Sequence, residues 1–229
     1  MKIKKLKWDS DFFGFGIADL LEGRIENIDE LTIKGDIKLI WTLVGADNSR
    51  YINRLTQSGF EFVDLRLTFF RVACATNTEG TRLATKNDLP ELIKLAGQAF
   101  LKDSRFNHKN FSQQKTKKLY ELWVEKSVAG SFDDCCFVAE VEGEIAGFAT
   151  YKKISRSDSS IGLIATSKKF QNKGIGSKLI LKCLDFAHSQ KRKTLLVGTE
   201  GKNIAAQNFY IKNGFKIKKI ESWYYKWIN

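Results

Sequence analysis

Hydrophobic and polar positions change period several times along the chain, and each change marks an element. IKLIWTLVGA, residues 37–46, is almost unbroken in its apolar character and predicts a strand, and FVDLRLTFFRVA, residues 62–73, predicts another. Between them, residues 53–58 read as the end of a helix closed by Gly59. Upstream, WDSDFFGFGIADL and a mixed stretch to about Lys34 complete a small α/β half-domain, in which FFGF reads as an edge-strand packing cluster. The polar run ATNTEGT, residues 75–81, marks a seam that divides the chain into residues 1–79 and 80–229.

After the seam the pattern sharpens. DLPELIKLAGQAF predicts a helix capped by Asp88, with Pro90 in its first turn and Glu91 three residues after the cap; Leu92, Leu95, Ala96 and Ala99 share one face. A second helix spans about Lys117 to Lys126, with Leu119, Leu122 and Trp123 turned inward. CCFVAEVEGEIAGFATYKKI is a hairpin turning at Glu142-Gly143-Glu144, and SSIGLIAT is a third strand. A helix over Ser177–Ser189, the strand KTLLVGT, a helix over Asn203–Lys212 stopped by Gly214, and two closing strands, FKIKKI and WYYKWI, follow. Hairpin, strand, helix, strand, helix, strand is a mixed α/β sheet.

The segment FQNKGIGSKL, residues 170–179, lies where a strand hands over to a helix. Glycines at 174 and 176 would let backbone amides approach an anion, and the helix N-terminus adds about half a positive charge. A Walker loop needs Gly-Lys-Ser/Thr, and a dinucleotide fingerprint needs a third glycine where Leu179 stands, so neither pattern fits. A glycine-rich turn without a ligand is the plain alternative. In NIAAQNFYIKNGF, Asn203 can cap the last helix and Tyr210 lies two turns on, on the same side.

With these two segments in this order, residues 80–229 resemble the GNAT family of N-acetyltransferases, with Gln171-x-x-Gly174-x-Gly176 as the acetyl-CoA-binding motif. The resemblance implies the GNAT fold, a mixed central sheet flanked by helices, and acetyl-CoA as acyl donor without a metal. It implies that the strand residues Leu163, Ile164 and Ala165 bind the pantetheine arm. Gln171, Lys173, Gly174, Ile175, Gly176, Ser177 and Lys178 would cradle the pyrophosphate, and Asn203 would contact the cofactor. Tyr210 would protonate the departing thiolate. A phenol of pKa about 10 protonates a thiolate whose conjugate acid lies near about 8.5 only when geometry is right and water is limited. Packing of Tyr210 as an ordinary helix aromatic is the alternative. Glu200, at a strand end, is the one candidate base, and a solvated loop carboxylate is its plainer reading; neither His108 nor His188 is favoured.

LKWDSDFFG, FLKDSRF, LWVEKSVAGSFD, RSDSSIGLIA and SWYYKW extend the likeness over the whole chain, which is similar to the TDP-fucosamine acetyltransferases of surface-polysaccharide synthesis. That resemblance implies a nucleotide-linked 4-amino-4,6-dideoxyhexose as acceptor, with Phe12, Phe13, Arg105 and Phe106 near it. Another small-molecule or protein amine is the alternative.

Composition narrows the rest. The formal net charge of +12 suits an anionic nucleotide sugar and argues against a polycationic acceptor. No interleaved basic and aromatic RNA-binding signature is present, so nucleic acid is not the expected partner. No apolar run reaches about 18 residues, so no membrane span is expected, and nothing resembles a secretory leader. Cys74, Cys135, Cys136 and Cys183 match no zinc or redox spacing and read as reduced thiols of a cytoplasmic protein. Trp223, Tyr224, Tyr225 and Trp227 either form a homodimer edge or finish the core.

Overall fold

The structure, a computed structural model, describes residues 3–21 and 35–228. The mixed stretch to Lys34 therefore lies largely outside the described residues. The chain forms two compact units. The first comprises residues 1–67, 200–202 and 219–229, and the second residues 68–199 and 203–218.

In the first unit, β1 (Ile3–Lys5) runs antiparallel to β2 (Gly16–Leu20), which runs parallel to β3 (Ile37–Gly45). The expected edge strand around FFGF is instead α1 (Lys7–Phe13), ended by Gly14 in the left-handed conformation. α2 (Ser49–Gln57) is capped by Asn48, whose Oδ1 accepts from Tyr51 N–H at 3.2 Å. β4 (Glu61–Val72) starts in this unit and ends in the second.

The two closing strands expected from FKIKKI and WYYKWI are one, β10 (Lys216–Trp227), because no turn residue interrupts the polar Glu221-Ser222. Its half in the first unit pairs antiparallel with β3, from Glu221↔Gly45 to Trp227↔Leu39. Tyr224 joins a core with Ile40, Val44, Tyr51, Leu55 and Phe60. Tyr224 and Tyr225 are therefore core residues.

In the second unit, β5 (Thr81–Leu83), β6 (Cys135–Val141), β7 (Glu144–Lys153) and β8 (Asp158–Thr166) pair antiparallel in sequence, and β9 (Thr194–Glu200) adds in parallel to β8. This is the mixed sheet the sequence predicts. Positive φ at Glu142 (52°) and Gly143 (78°) makes the β6–β7 turn tight.

α3 (Leu89–Ala99) and α4 (Gln113–Val128) cover one face, where Leu92, Ala96, Tyr120 and Val124 pack on Cys136, Val138, Phe148, Leu163 and Ala165. Alternate strand residues face the other way: Phe137 and Tyr151 meet Phe186 of α5 (Ile175–Ser189). α6 (Ile204–Lys212) follows β9.

Two expected details differ. Asp88 does not cap α3. Its carboxylate accepts from Thr85 N–H at 2.7 Å and binds Arg82 through two nitrogens at 2.8 and 2.9 Å, because a short 3₁₀ turn (Lys86–Asp88) precedes the helix and takes Thr85 as its cap. The buried stripe of α4 is Thr116, Leu119, Tyr120, Val124 and Ser127, whereas Leu122 and Trp123 are half-buried; the helix starts earlier, at the Ser112 cap, than its apolar residues suggest. The compact units part at Leu67/Thr68. Ala73 N–H donates to Lys193 O at 2.9 Å and Thr76 Oγ1 to Leu181 O at 3.0 Å, which ties that stretch to the second unit.

Candidate active site

The feature that opens a site in the second unit is a bulge in β8. Ala149 pairs with Ile164 and Tyr151 with Ile161, so Gly162 and Leu163 together oppose the single residue Thr150. Registry with β9 ends at Ile161↔Val197, while registry with β7 continues to Gly147↔Thr166. Beyond the bulge β8 thus leaves β9.

Leu163 N–H donates to Thr150 Oγ1 at 2.8 Å and Ser167 N–H to Ala146 O at 2.8 Å, both on the β7 side. Backbone alternation then turns the amides of Ile164 and Thr166 toward the vacated β9 side. The side chains of Leu163 and Ala165 are buried in the core under α3 and α4. Within the segment Leu163, Ile164, Ala165, it is Ile164 whose amide is free of the β7 ladder.

The β8 strand leads through a 3₁₀ turn (Lys168–Phe170) into Gln171, Asn172 (φ 60°), Lys173 and Gly174, all exposed. Gly174 sits at the N-cap of α5 in the left-handed conformation (φ 79°), and a Cβ there would meet no atom of the described residues within 4 Å. Glycine is required by the backbone, and the space in front of it is open. Lys178 N–H donates to Gly174 O at 3.0 Å, which leaves the amides of Ile175, Gly176 and Ser177 as the unpaired donors of the first turn.

Gly176 has a different reason to be glycine: a Cβ would lie 2.8 Å from Phe209 Cζ, so its place is set by packing of α5 against α6. The Ile175 side chain is buried, so only its backbone faces the loop. Lys173 Nζ stands 5.5 Å from the Phe170 ring centroid, and Lys169 Nζ binds Glu144 at 2.6 Å. The first turn of α5 carries no acidic residue, and the whole arrangement can hold a phosphate or pyrophosphate.

Asn203 caps α6 through Oδ1, which accepts from Ala206 N–H at 3.1 Å. Tyr210, 4% exposed, is held on α6 by Phe69, Phe209 and Phe215, with ring centroids 5.6, 5.5 and 5.9 Å away. Such a cage fixes the direction of its phenol. Glu200 is half-buried at the end of β9, and His188 is exposed.

Of the four residues expected near an acceptor, two belong to the first unit: Phe13 is buried there, and Phe12 stacks on Trp8 with ring centroids 5.2 Å apart. Arg105 and Phe106 belong to the α3–α4 connection of the second unit, where the guanidinium carbon lies 4.1 Å from the Phe106 ring centroid. Phe106, Lys102, Asn107, Gln113 and Thr116 line a pocket of 230 Å³ there.

Sequence reading missed Asp133 and Thr150, which are buried behind the bulge. The four cysteines are free, and burial pushes the Cys135 thiol up to about 12 and those of Cys136 and Cys183 further, so these three are not poised as nucleophiles. No helix among the described residues is long and apolar enough to cross a membrane.

Comparison with known proteins agrees with this geometry. A dTDP-fucosamine acetyltransferase of Escherichia coli is 28% identical over 98% of this chain and 97% of its own length. The spore coat polysaccharide biosynthesis protein SpsD of Bacillus subtilis is 26% identical over 61% of this chain and 48% of its own. A solved GNAT-family acetyltransferase from Colwellia psychrerythraea superposes with a TM-score of 0.58 over 89% of this chain and 71% of its own, at 15% identity, which speaks for the fold alone. The sequence profile of the GNAT acetyltransferase family matches residues 98–215, from the end of α3 through the bulge, the glycine loop and α6, and the chain belongs to that family of N-acetyltransferases.

Proposed function

We propose that the protein transfers the acetyl group of acetyl-CoA to the 4-amine of a dTDP-linked 4-amino-4,6-dideoxyhexose. The observation that carries the donor half is the parting of β8 from β9 beside an open helix N-terminus. One opening then offers the Ile164 amide to a thioester carbonyl and the Ile175–Ser177 amides to a pyrophosphate. Gln171, Lys173 and Lys178 flank that cradle, and Asn203 lies at the start of the helix carrying Tyr210.

The neutral amine attacks the thioester carbonyl carbon, and the Ile164 amide stabilises the oxygen as negative charge builds on it. The carbon–sulfur bond then breaks, and Tyr210 gives its phenolic proton to the thiolate as it leaves. The nitrogen loses one proton to solvent or a base, and a proton from solvent restores the Tyr210 phenol.

For the acceptor, support comes from end-to-end similarity to a dTDP-fucosamine acetyltransferase, which includes the first unit as well as the GNAT core. The pocket by Arg105 and Phe106 offers an aromatic face, two amides and the Lys102 cation, which suits a nucleotide diphosphate. A cytoplasmic location follows from the need for acetyl-CoA and a nucleotide sugar in one compartment.

The test is thiol release from acetyl-CoA with separate acceptors: dTDP- and UDP-linked 4-amino-4,6-dideoxyhexoses, spermidine and a peptide amine. Turnover confined to the dTDP sugar is expected. Turnover confined to spermidine or the peptide would overturn the sugar assignment and leave the donor half standing.

A further inference from the structure

Asp133 lies in the turn before β6 and is 1% exposed. Trp123 Nε1–H donates to its Oδ2 at 2.8 Å, Thr150 Oγ1–H donates at 2.6 Å, and Ser127 Oγ stands 3.3 Å from the same oxygen. Oδ1, also buried, has no hydrogen-bond partner among the described residues. Side chains of α4 and β7 converge on the other oxygen.

The consequence passes through Thr150, the residue opposite the bulge. A hydroxyl has one proton, and that of Thr150 goes to Asp133, so its lone pairs face Leu163 N–H, which donates at 2.8 Å. A threonine without the carboxylate could point its proton either way; the charge removes the choice. The carboxylate is also pressed against the bulge itself. A Cβ on Gly162 would collide with Asp133 Oδ2 and stand 2.8 Å from Thr150 Oγ1, so only glycine fits.

We infer that Asp133 and Thr150 are positioning residues for acyl transfer. Asp133 orients the Thr150 hydroxyl, the hydroxyl holds the Leu163 amide on the β7 side, and the bulge thereby presents the Ile164 amide to the thioester carbonyl. The inference rests on the acetyl-CoA reading given above and is indifferent to which amine accepts.

Infrared difference spectra of carbonyl-13C acetyl-CoA bound to the full chain read the hydrogen bond at the thioester carbonyl as a downshift of its stretch. The downshift is expected in the wild type and in Thr150→Ser, and is expected to be lost in Thr150→Val and Asp133→Asn. Acetyl-CoA affinity should change by less than about threefold in all three variants, because the pyrophosphate is held elsewhere.

A full downshift in folded Thr150→Val or in folded Asp133→Asn overturns the inference, and so does its loss in Thr150→Ser. Wild-type protein that binds acetyl-CoA without a downshift overturns the inference while the donor reading stands. Wild-type protein that does not bind acetyl-CoA overturns both.

Discussion

The two walls of the proposed donor site in the second unit are built by opposite means. The phosphate wall, Gln171 to Ser177, is exposed as far as Gly174 and relies on backbone, with Gly174 in the left-handed conformation and three first-turn amides. The acyl wall is buried and relies on side chains: Trp123, Ser127, Asp133 and Thr150 are fastened behind the β8 bulge. A pyrophosphate is a large, diffuse dianion that several amides and lysines can hold with little geometric demand. A reacting carbonyl gains from a donor only where its developing charge will be, so the backbone there has to be held firmly.

Variants can break or sharpen that contrast. Tyr210→Phe leaves both walls intact and removes the leaving-group acid, so kcat should fall by about 10²-fold or more with acetyl-CoA affinity almost unchanged. Thiol release and calorimetry together check this, and undiminished turnover would remove Tyr210 from its role. Gly174→Val and Gly176→Val act on the phosphate wall. Each should weaken acetyl-CoA binding by about tenfold, the first by bending a left-handed position and the second by pushing Phe209. If affinity survives both changes, the loop is a plain turn.

Gly162→Ala strikes the acyl wall and should cost about 2–3 kcal/mol of stability, since the new Cβ meets a buried carboxylate that cannot retreat. Urea unfolding measures it, and a cost no larger than that of an exposed Gly→Ala change would mean the wall is soft. The smallest effect lies outside both walls. The Arg82 guanidinium, with help from Thr85, holds the Asp88 carboxyl below its ordinary value of 3.8. Its stabilisation is therefore complete above about pH 4 and is lost as pH falls further. Asp88→Asn should lower the midpoint of urea unfolding at pH 7 and narrow its difference from wild type at pH 3.

Much of the site was legible because its parts are short and contiguous. Gly174 and Gly176 flag a loop into a helix, Asn203 flags a cap, and Tyr210 follows at helical spacing. All depend on neighbours within a turn or two. Other features misled for equally physical reasons. FFGF has the composition of a strand, yet Gly14 and Ser10 close it into the short helix α1. Gly176 looked like room for phosphate, and its space belongs to Phe209. Asp88 had the spacing of a helix cap but was claimed by Arg82, which approaches from β5.

The sequence by itself determined the order of elements from the β6–β7 hairpin to α6, the glycine loop and the helix bearing Tyr210, because periodicity and capping are local and each is written in adjacent residues. Only the tertiary structure decided that Gly162 and Leu163 form a bulge, and that Asp133 and Thr150 stand behind it. Those residues are 13 to 17 positions apart, and strand pairing, which no local pattern encodes, brings them within hydrogen-bond reach.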